Sequence, residues 1–230
     1  MAVPLEDGHA PSLGSPIGQL APYRTSVTQG LPLGTSRSGA TLSIDLLRPR
    51  PTRFVVTGDG WLGSLLALRA AVLGARIVVL TDRPARWQQL VAAVGGRTPF
   101  ASVLQLDAPA PSVPTAAEPL VVLHDSAVGA GDLLAARAAW HTSIHLLPRA
   151  DAQHAGLLEA ADLVLLRSPA AAEVPELLEL LRLPPAVGGQ LGRLGPTEYL
   201  GITRGAAQLV TVTPTEPEIA LIGAAETPAD

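Results

Sequence analysis

The sequence predicts an α/β protein with a mainly parallel sheet flanked by helices in three layers. Three observations lead there. Short apolar runs rich in Val, Ile and Leu alternate with stretches of helical periodicity, which is the pattern of βαβ units. Hydrophobic residues make up 47% of the 230-residue chain but aromatic residues only 3%, so the core is packed from aliphatic side chains, as in a sheet buried on both faces. Glycine and proline fall where helices stop and start: Gly74 and Gly95 follow helical patterns, and Pro84 suits a first turn.

Taken in order, residues 1–38 are rich in Gly, Pro and Ser without sustained periodicity and read as a flexible N-terminal arm. A single nucleotide-binding-like α/β domain follows over 39–224, with a tail at 225–230. Strands are expected at 41–47, 53–57, 76–81, 102–106, 119–124, 142–147, 162–166, 208–213 and 218–222. Helices are expected at Leu62–Leu73, Pro84–Val94, Gly131–Trp140 and Glu173–Leu181. The stretch 108–118 is a Pro/Ala linker, and 184–205 a Gly/Pro-rich loop before a final hairpin-like pair of strands.

Composition removes several function classes. The net charge of −4 offers no positive field to a phosphate backbone, so nucleic acid is not an expected partner, nor is an anionic membrane surface. No cysteine is present, which excludes disulfides, thiolate catalysis and Cys-based metal sites. All 16 basic residues are Arg, so lysine-dependent chemistry is excluded too, including Schiff bases and the lysine of a phosphate-binding loop. The most apolar window, Leu62 to Leu80, carries Arg69 and Arg76, and the start of the chain lacks signal-peptide regions. The expectation is a cytoplasmic protein with no direct membrane insertion.

The chemistry concentrates at one turn. Arg53–Thr57 is a buried-strand run followed by Gly58-Asp59-Gly60-Trp61-Leu62-Gly63 and an Ala/Leu helix, so G-x-G-x-x-G stands in its strand–turn–helix setting. In a Rossmann-like dinucleotide site the first glycine makes the turn, the second admits the pyrophosphate and the third packs helix on strand, while Asp82, about 20 residues on, would bind a ribose of NAD or FAD. The same residues fit the first half of G-x-x-x-x-G-K-[ST] in a P-loop or RecA-like fold, with Ser64-Leu65 in place of Lys and Ser/Thr, and with Asp59 set to repel phosphate. Glycines here can also serve packing alone, and Asp82 can simply begin a turn.

Leu120–Asp125 is an apolar strand ending in an acid, the place of a residue that holds Mg²⁺ through water, although Ser126 follows where a second acid would activate water. An acid there also serves as a cap. His124, His141 and His145 lack metal-ligand spacing, and Ser126 and Ser168 lack a nucleophile elbow. No catalytic residue and no metal site is assigned. The residues that a nucleotide or dinucleotide would touch are Gly58, Asp59, Gly60, Gly63, Ser64, Asp82 and Asp125.

Leu31-Pro-Leu-Gly34, Gly39, Leu42-Ser-Ile-Asp-Leu46 and Phe54-Val-Val-Thr-Gly58 together resemble the lead into the phosphate loop of FtsK/SpoIIIE-type ATPases. The resemblance continues through the strand ending at Asp125, 142–147 and Ala161–Arg167, and covers roughly 31–222. Phe54–Ala75 and Ile77–Leu90 are also similar to the C-terminal cytosolic part of EccE, a component of actinobacterial type VII (ESX) secretion machines. These resemblances imply a degenerate P-loop-like fold without a cofactor, acting as a non-catalytic scaffold or accessory among the protein partners of a secretion complex. The alternative is a Rossmann-type NAD- or FAD-binding protein. Strand order separates them, because a P-loop core inserts strand between 53–57 and 76–81 whereas a Rossmann core pairs the two directly.

Overall fold

The computed structural model describes residues 30–95, 100–106, 108, 113–126, 138–204 and 206–225. Ten described strands form one sheet: β1 (Leu31–Ser36), β2 (Thr41–Ile44), β3 (Thr52–Thr57), β4 (Arg76–Thr81), β5 (Ala101–Leu104), β6 (Leu120–Asp125), β7 (His141–Leu147), β8 (Leu163–Leu166), β9 (Glu198–Thr203) and β10 (Ala206–Val212). Their order is β2-β1-β10-β9-β8-β3-β7-β6-β4-β5. From β8 to β5 all neighbours are parallel, while β9, β10, β1 and β2 extend the sheet by antiparallel pairing. The α/β class with a mostly parallel sheet is as the sequence predicts.

Two strands, β7 and β6, stand between β3 and β4. That is the P-loop type of order, and it departs from a Rossmann core, where those two strands are neighbours.

Helices α1 (Trp61–Val72) and α2 (Gln88–Gly95) lie on one face with α6 (Glu216–Ile222), and α3 (Ala155–Glu159), α4 (Val174–Leu180) and α5 (Gly188–Leu191) on the other. The first face is the larger core, where Leu62, Leu65 and Leu66 of α1 meet Phe54, Val56, Ile77, Val79, Val121 and Ile144. The alternation along β3 shows why both faces are buried: Val55 joins the second cluster while Phe54 and Val56 join the first.

Three expectations are corrected. Leu31–Ser36, placed in the arm at 1–38, is β1; residues 1–29 lie outside the described residues. Pro32 and Gly34 hid this strand, yet glycine is what it needs, because a Cβ on Gly34 would sit 2.0 Å from the Thr211 carbonyl oxygen of β10. The loop expected at 184–205 contains β9, whose signal is broken by Gly201 in mid-strand. The strand expected at 218–222 is α6, and β9 with β10 is the true hairpin. A capping box sets that helix: the Thr215 hydroxyl accepts the Glu218 N–H at 3.4 Å, and the Thr215 N–H is donated to the Glu218 carboxylate at 2.7 Å. The helix expected at Gly131–Trp140 falls largely outside the described residues.

One side chain ties the antiparallel block to the first face. Arg69 of α1 donates side-on to Glu218, with Nε to Oε1 at 2.7 Å and Nη2 to Oε2 at 2.9 Å. It also donates to the carbonyls of Pro32 at 2.6 Å and Thr213 at 2.8 Å. The hydrogen bonds from Arg69 hold the Glu218 carboxyl below its ordinary range. Replacing Arg69 by Ala takes the guanidinium from a partly buried carboxylate, leaving it the Thr215 N–H, and from the carbonyls of Pro32, Leu33 and Thr213, and is expected to cost about 2–4 kcal/mol in urea unfolding. Arg69→Lys should restore only part of this, since an ammonium cannot reproduce the planar fork. A loss within experimental error for Arg69→Ala would refute the assignment.

Candidate functional site

The carboxyl ends of β3, β7, β8, β6 and β4 lie along one edge of the sheet, and the turn after β3 is at its centre. Here β3 sends its chain to α1 on the first face and β8 sends its chain to α4 on the second. Such a switch point is where open α/β sheets form crevices. A cleft of about 380 Å³ occupies it, lined by Thr57, Gly58, Asp59, Arg149, Arg167 and Glu173 among others, and a smaller one of about 150 Å³ lies beside it against Gly60, Arg83, Arg86 and Asp125.

The turn itself is three residues long. Gly58 and Gly60 have φ of 111° and 80°, which favour glycine, and α1 begins at Trp61. Gly63 and Ser64 are therefore inside the helix: a Cβ on Gly63 would lie 2.5 Å from Leu146 Cδ2, and Ser64 N–H donates to the Gly60 carbonyl at 3.1 Å. Gly63 thus performs the close helix–strand packing that the motif assigns to its third glycine. Trp61 is held by its indole N–H, which donates to the Gly223 carbonyl at 3.0 Å.

Two of the backbone donors at this turn are engaged within the chain. Gly58 N–H donates to the Leu147 carbonyl at 2.9 Å, and Trp61 N–H to the Asp59 carboxylate at 2.9 Å. Asp59 in turn pairs with Arg167 Nη1 at 2.5 Å. Arg167 is only 7% exposed, its N–H is received by the Thr57 hydroxyl at 2.9 Å, and its side chain packs where a Cβ on Gly58 would go. Arg86 does the same at Gly60, where a Cβ would be 2.6 Å from Nη2.

Asp125 is 1% exposed and its carboxylate is satisfied by the chain. Thr81 Oγ1 donates to Oδ2 at 3.1 Å and the Trp87 indole N–H to the same oxygen at 2.6 Å, while Arg83 forms an ion pair with Oδ1. Metal-bound triphosphate needs a free acid, an open loop of N–H donors and a cation on the β- and γ-phosphates. An acid paired with Arg83, a turn closed by Asp59 and Arg167, and a chain without lysine do not fit that group.

Of the residues singled out from sequence, Gly58, Asp59, Gly60, Gly63 and Ser64 form the turn and the helix start, and Asp125 faces the smaller cleft beside them. Asp82 is not brought to the turn. It directly follows β4, three strand steps or ~14 Å from β3, and its nearest ionic partner is Arg83 Nε at 3.7 Å. The residues that sequence reasoning missed are Arg83, Arg86, Trp87 and Arg167. The exclusive use of arginine was visible, but nothing local revealed that the turn at 84–87 folds back over β6.

His124 and His145 are register partners on β6 and β7, both buried, with rings stacked at 4.4 Å between centroids and 8° between planes. Among the described residues no group of three or more His, Asp or Glu is disposed to hold a metal. Burial, with His124 and Arg53 nearby, pushes the His145 imidazole down to about 2, and burial lowers that of His141.

Comparison with models of known protein families finds no match, and comparison with curated proteins finds none. Solved structures do match. The fold is that of P-loop ATPases with a ten-stranded mixed sheet. VirB4 of Thermoanaerobacter pseudethanolicus aligns with a TM-score of 0.59 at 10% identity, over 84% of this chain and 98% of that one. The cytoplasmic domain of the type VII secretion ATPase EccC of Thermomonospora curvata aligns with a TM-score of 0.56 at 13% identity. That match covers 94% of this chain and 33% of EccC, so the chain spans about one third of the EccC structure. At these identities the likeness concerns the fold.

Two outcomes are expected. Asp125→Asn should lower stability by about 2–4 kcal/mol in thermal or urea unfolding, because it strips a buried ion pair of its charge; an acid serving only an added metal would leave the stability of the metal-free protein unchanged. For His145, the unfolded chain takes up a proton below about pH 6.5 that the folded chain refuses. Its contribution is therefore present above pH 6.5 and lost as pH falls towards 2, by at most ~1.4 kcal/mol per pH unit. In His145→Leu the urea midpoint should fall less steeply between pH 6.5 and 4 than in the parent; an unchanged slope would exclude a neutral buried imidazole.

Proposed function

We propose that the chain is a non-hydrolysing P-loop-type domain that acts as a scaffold or accessory in a secretion ATPase assembly of the type VII kind. The observation that carries this reading is the Asp125 carboxylate, which is met by Arg83, Trp87 and Thr81. In the hydrolytic arrangement that acid is kept for metal. The arginines that close the turn support the same conclusion, since their guanidinium groups occupy space beside Gly58 and Gly60.

The secretion setting draws on the likeness of fold to VirB4 and EccC, and on the P-loop lead from Leu31 through Gly58. Among the described residues no helix is long and apolar enough to cross a membrane, in keeping with a place on the cytoplasmic face beside a membrane complex. An EccE-like accessory role, with protein rather than nucleic-acid partners, follows from the sequence resemblance and the net charge of −4.

The test is nucleotide binding and turnover by the purified chain. A ligand at a hundred times its Kd adds ~2.7 kcal/mol to stability, so ATP–Mg²⁺, NAD and FAD at millimolar concentration are expected to leave the melting temperature unchanged. Phosphate release is expected to remain at the background rate. A magnesium-dependent rise in melting temperature, or phosphate release abolished by Asp125→Asn, would overturn the reading.

A further inference from the structure

The opposite edge of the sheet, where the parallel strands begin, carries a cluster of arginines that takes no part in the glycine turn. Asp162, just before β8, receives Arg50 Nη1 at 3.2 Å and the Arg53 N–H at 2.9 Å, with Arg48 Nη2 at 3.6 Å. Two guanidinium groups thus share one carboxylate. The third guanidinium, that of Arg53, has no acid within 4.0 Å among the described residues, and its Nε is buried without a partner.

The cluster is incompletely compensated. Burial lowers the Arg48 pKa, and repulsion from Arg50 outweighs the attraction of either Asp162 or Asp45. Burial lowers the pKa of His141, at the start of β7, which disfavours a further positive charge there. Arg76, at the start of β4 on the same edge, pairs with Glu118 at 2.5 Å.

The edge is also rigidly presented. Trp140 has φ of 62°, a left-handed conformation costly for a bulky residue and kept only where neighbours impose it. Its N–H donates to the Arg48 carbonyl at 2.8 Å and its carbonyl accepts from Leu120 at 2.9 Å, which clamps the Arg48 backbone to β6. Arg48 Nε is fixed on the Thr52 hydroxyl at 3.1 Å. The Arg50 side chain remains 57% exposed, with Nη1 on Asp162.

We infer that this arginine edge, where the Arg48 and Arg50 guanidinium groups gather on Asp162 at the start of the strand that carries Arg53, is a docking surface for an acidic segment of a protein partner. A second carboxylate placed beside Asp162 would supply the missing countercharge, and a planar guanidinium binds carboxylate through two parallel hydrogen bonds. Because the protein as a whole is negative, an acidic partner gains nothing from the general field and has to be recognised locally. Several side-chain carboxylates on an extended segment match several arginines better than one small anion does. The surface lies at the far end of β3 from the glycine turn, ~17 Å away, so it is independent of whether a nucleotide binds there.

The experiment uses fluorescein-labelled hexaglutamate and the full chain, read by fluorescence anisotropy at 25 mM and 500 mM NaCl. Saturable binding that weakens at high salt, falls at least tenfold in Arg50→Glu, and persists in Arg182→Glu is the expected result. Arg182 is a solvent-exposed control on the loop after α4, and circular dichroism melting of each variant confirms that it is folded. Equal weakening in both variants would show non-local charge and overturn the proposal. So would undiminished binding by Arg50→Glu, absence of binding by the parent, or full competition by inorganic phosphate at matched ionic strength. ATP–Mg²⁺ binding measured on the same Arg50→Glu sample reports on the glycine turn separately.

Discussion

A single buried carboxylate, that of Asp125, sets the arrangement of the glycine-turn edge. A charge at 1% exposure is tolerable only if it is paired and hydrogen-bonded. Thr81 brings the end of β4 to it, and Trp87 and Arg83 bring the turn that follows. Once that turn is drawn back over β6, Arg86 arrives against Gly60, and the glycine turn is confined on one side by Arg86 and on the other by Arg167. The geometry of the crevice is therefore a consequence of neutralising one acid within the chain.

This arrangement inverts the electrostatic logic of a nucleotide site. There, fixed protein donors and a metal are arranged around charge that the ligand brings. Here Asp59 and Asp125 are the anions, and arginines from other elements are their counterions. Each pair is intramolecular, so both acids have a counterion from the chain itself.

The parallel half of the fold was legible in the sequence because its strands are continuous apolar runs, as in Phe54–Val56, Ile77–Leu80 and Leu120–Leu123, and because Gly58 and Gly60 mark the turn. The antiparallel half was less legible. β1 and β9 contain Pro32, Gly34 and Gly201, residues that lower strand signals for the same reason that they permit close backbone approach. In α6 the run Ile219–Ile222 is too short for periodicity to separate helix from strand, and the capping box at Thr215 and Glu218 was the better signal. At the site, local spacing located the turn and Asp125, but not the arginines, because Arg83 and Arg167 reach their partners through tertiary folding over more than 40 residues, and Arg86 meets Gly60 across an intervening helix and strand.

Arg69 has a topological corollary. By gripping Pro32 near the first described strand and Glu218 in the last described helix, it places the two ends of the described fold within one side chain of each other. A fold whose ends meet can be closed by a short linker and reopened elsewhere, or carried as a guest within a longer polypeptide, without disturbing its sheet. The β9–β10 connection, where strands end at Thr203 and resume at Ala206, is a place for such a cut, since both flanking residues are exposed and it joins antiparallel neighbours.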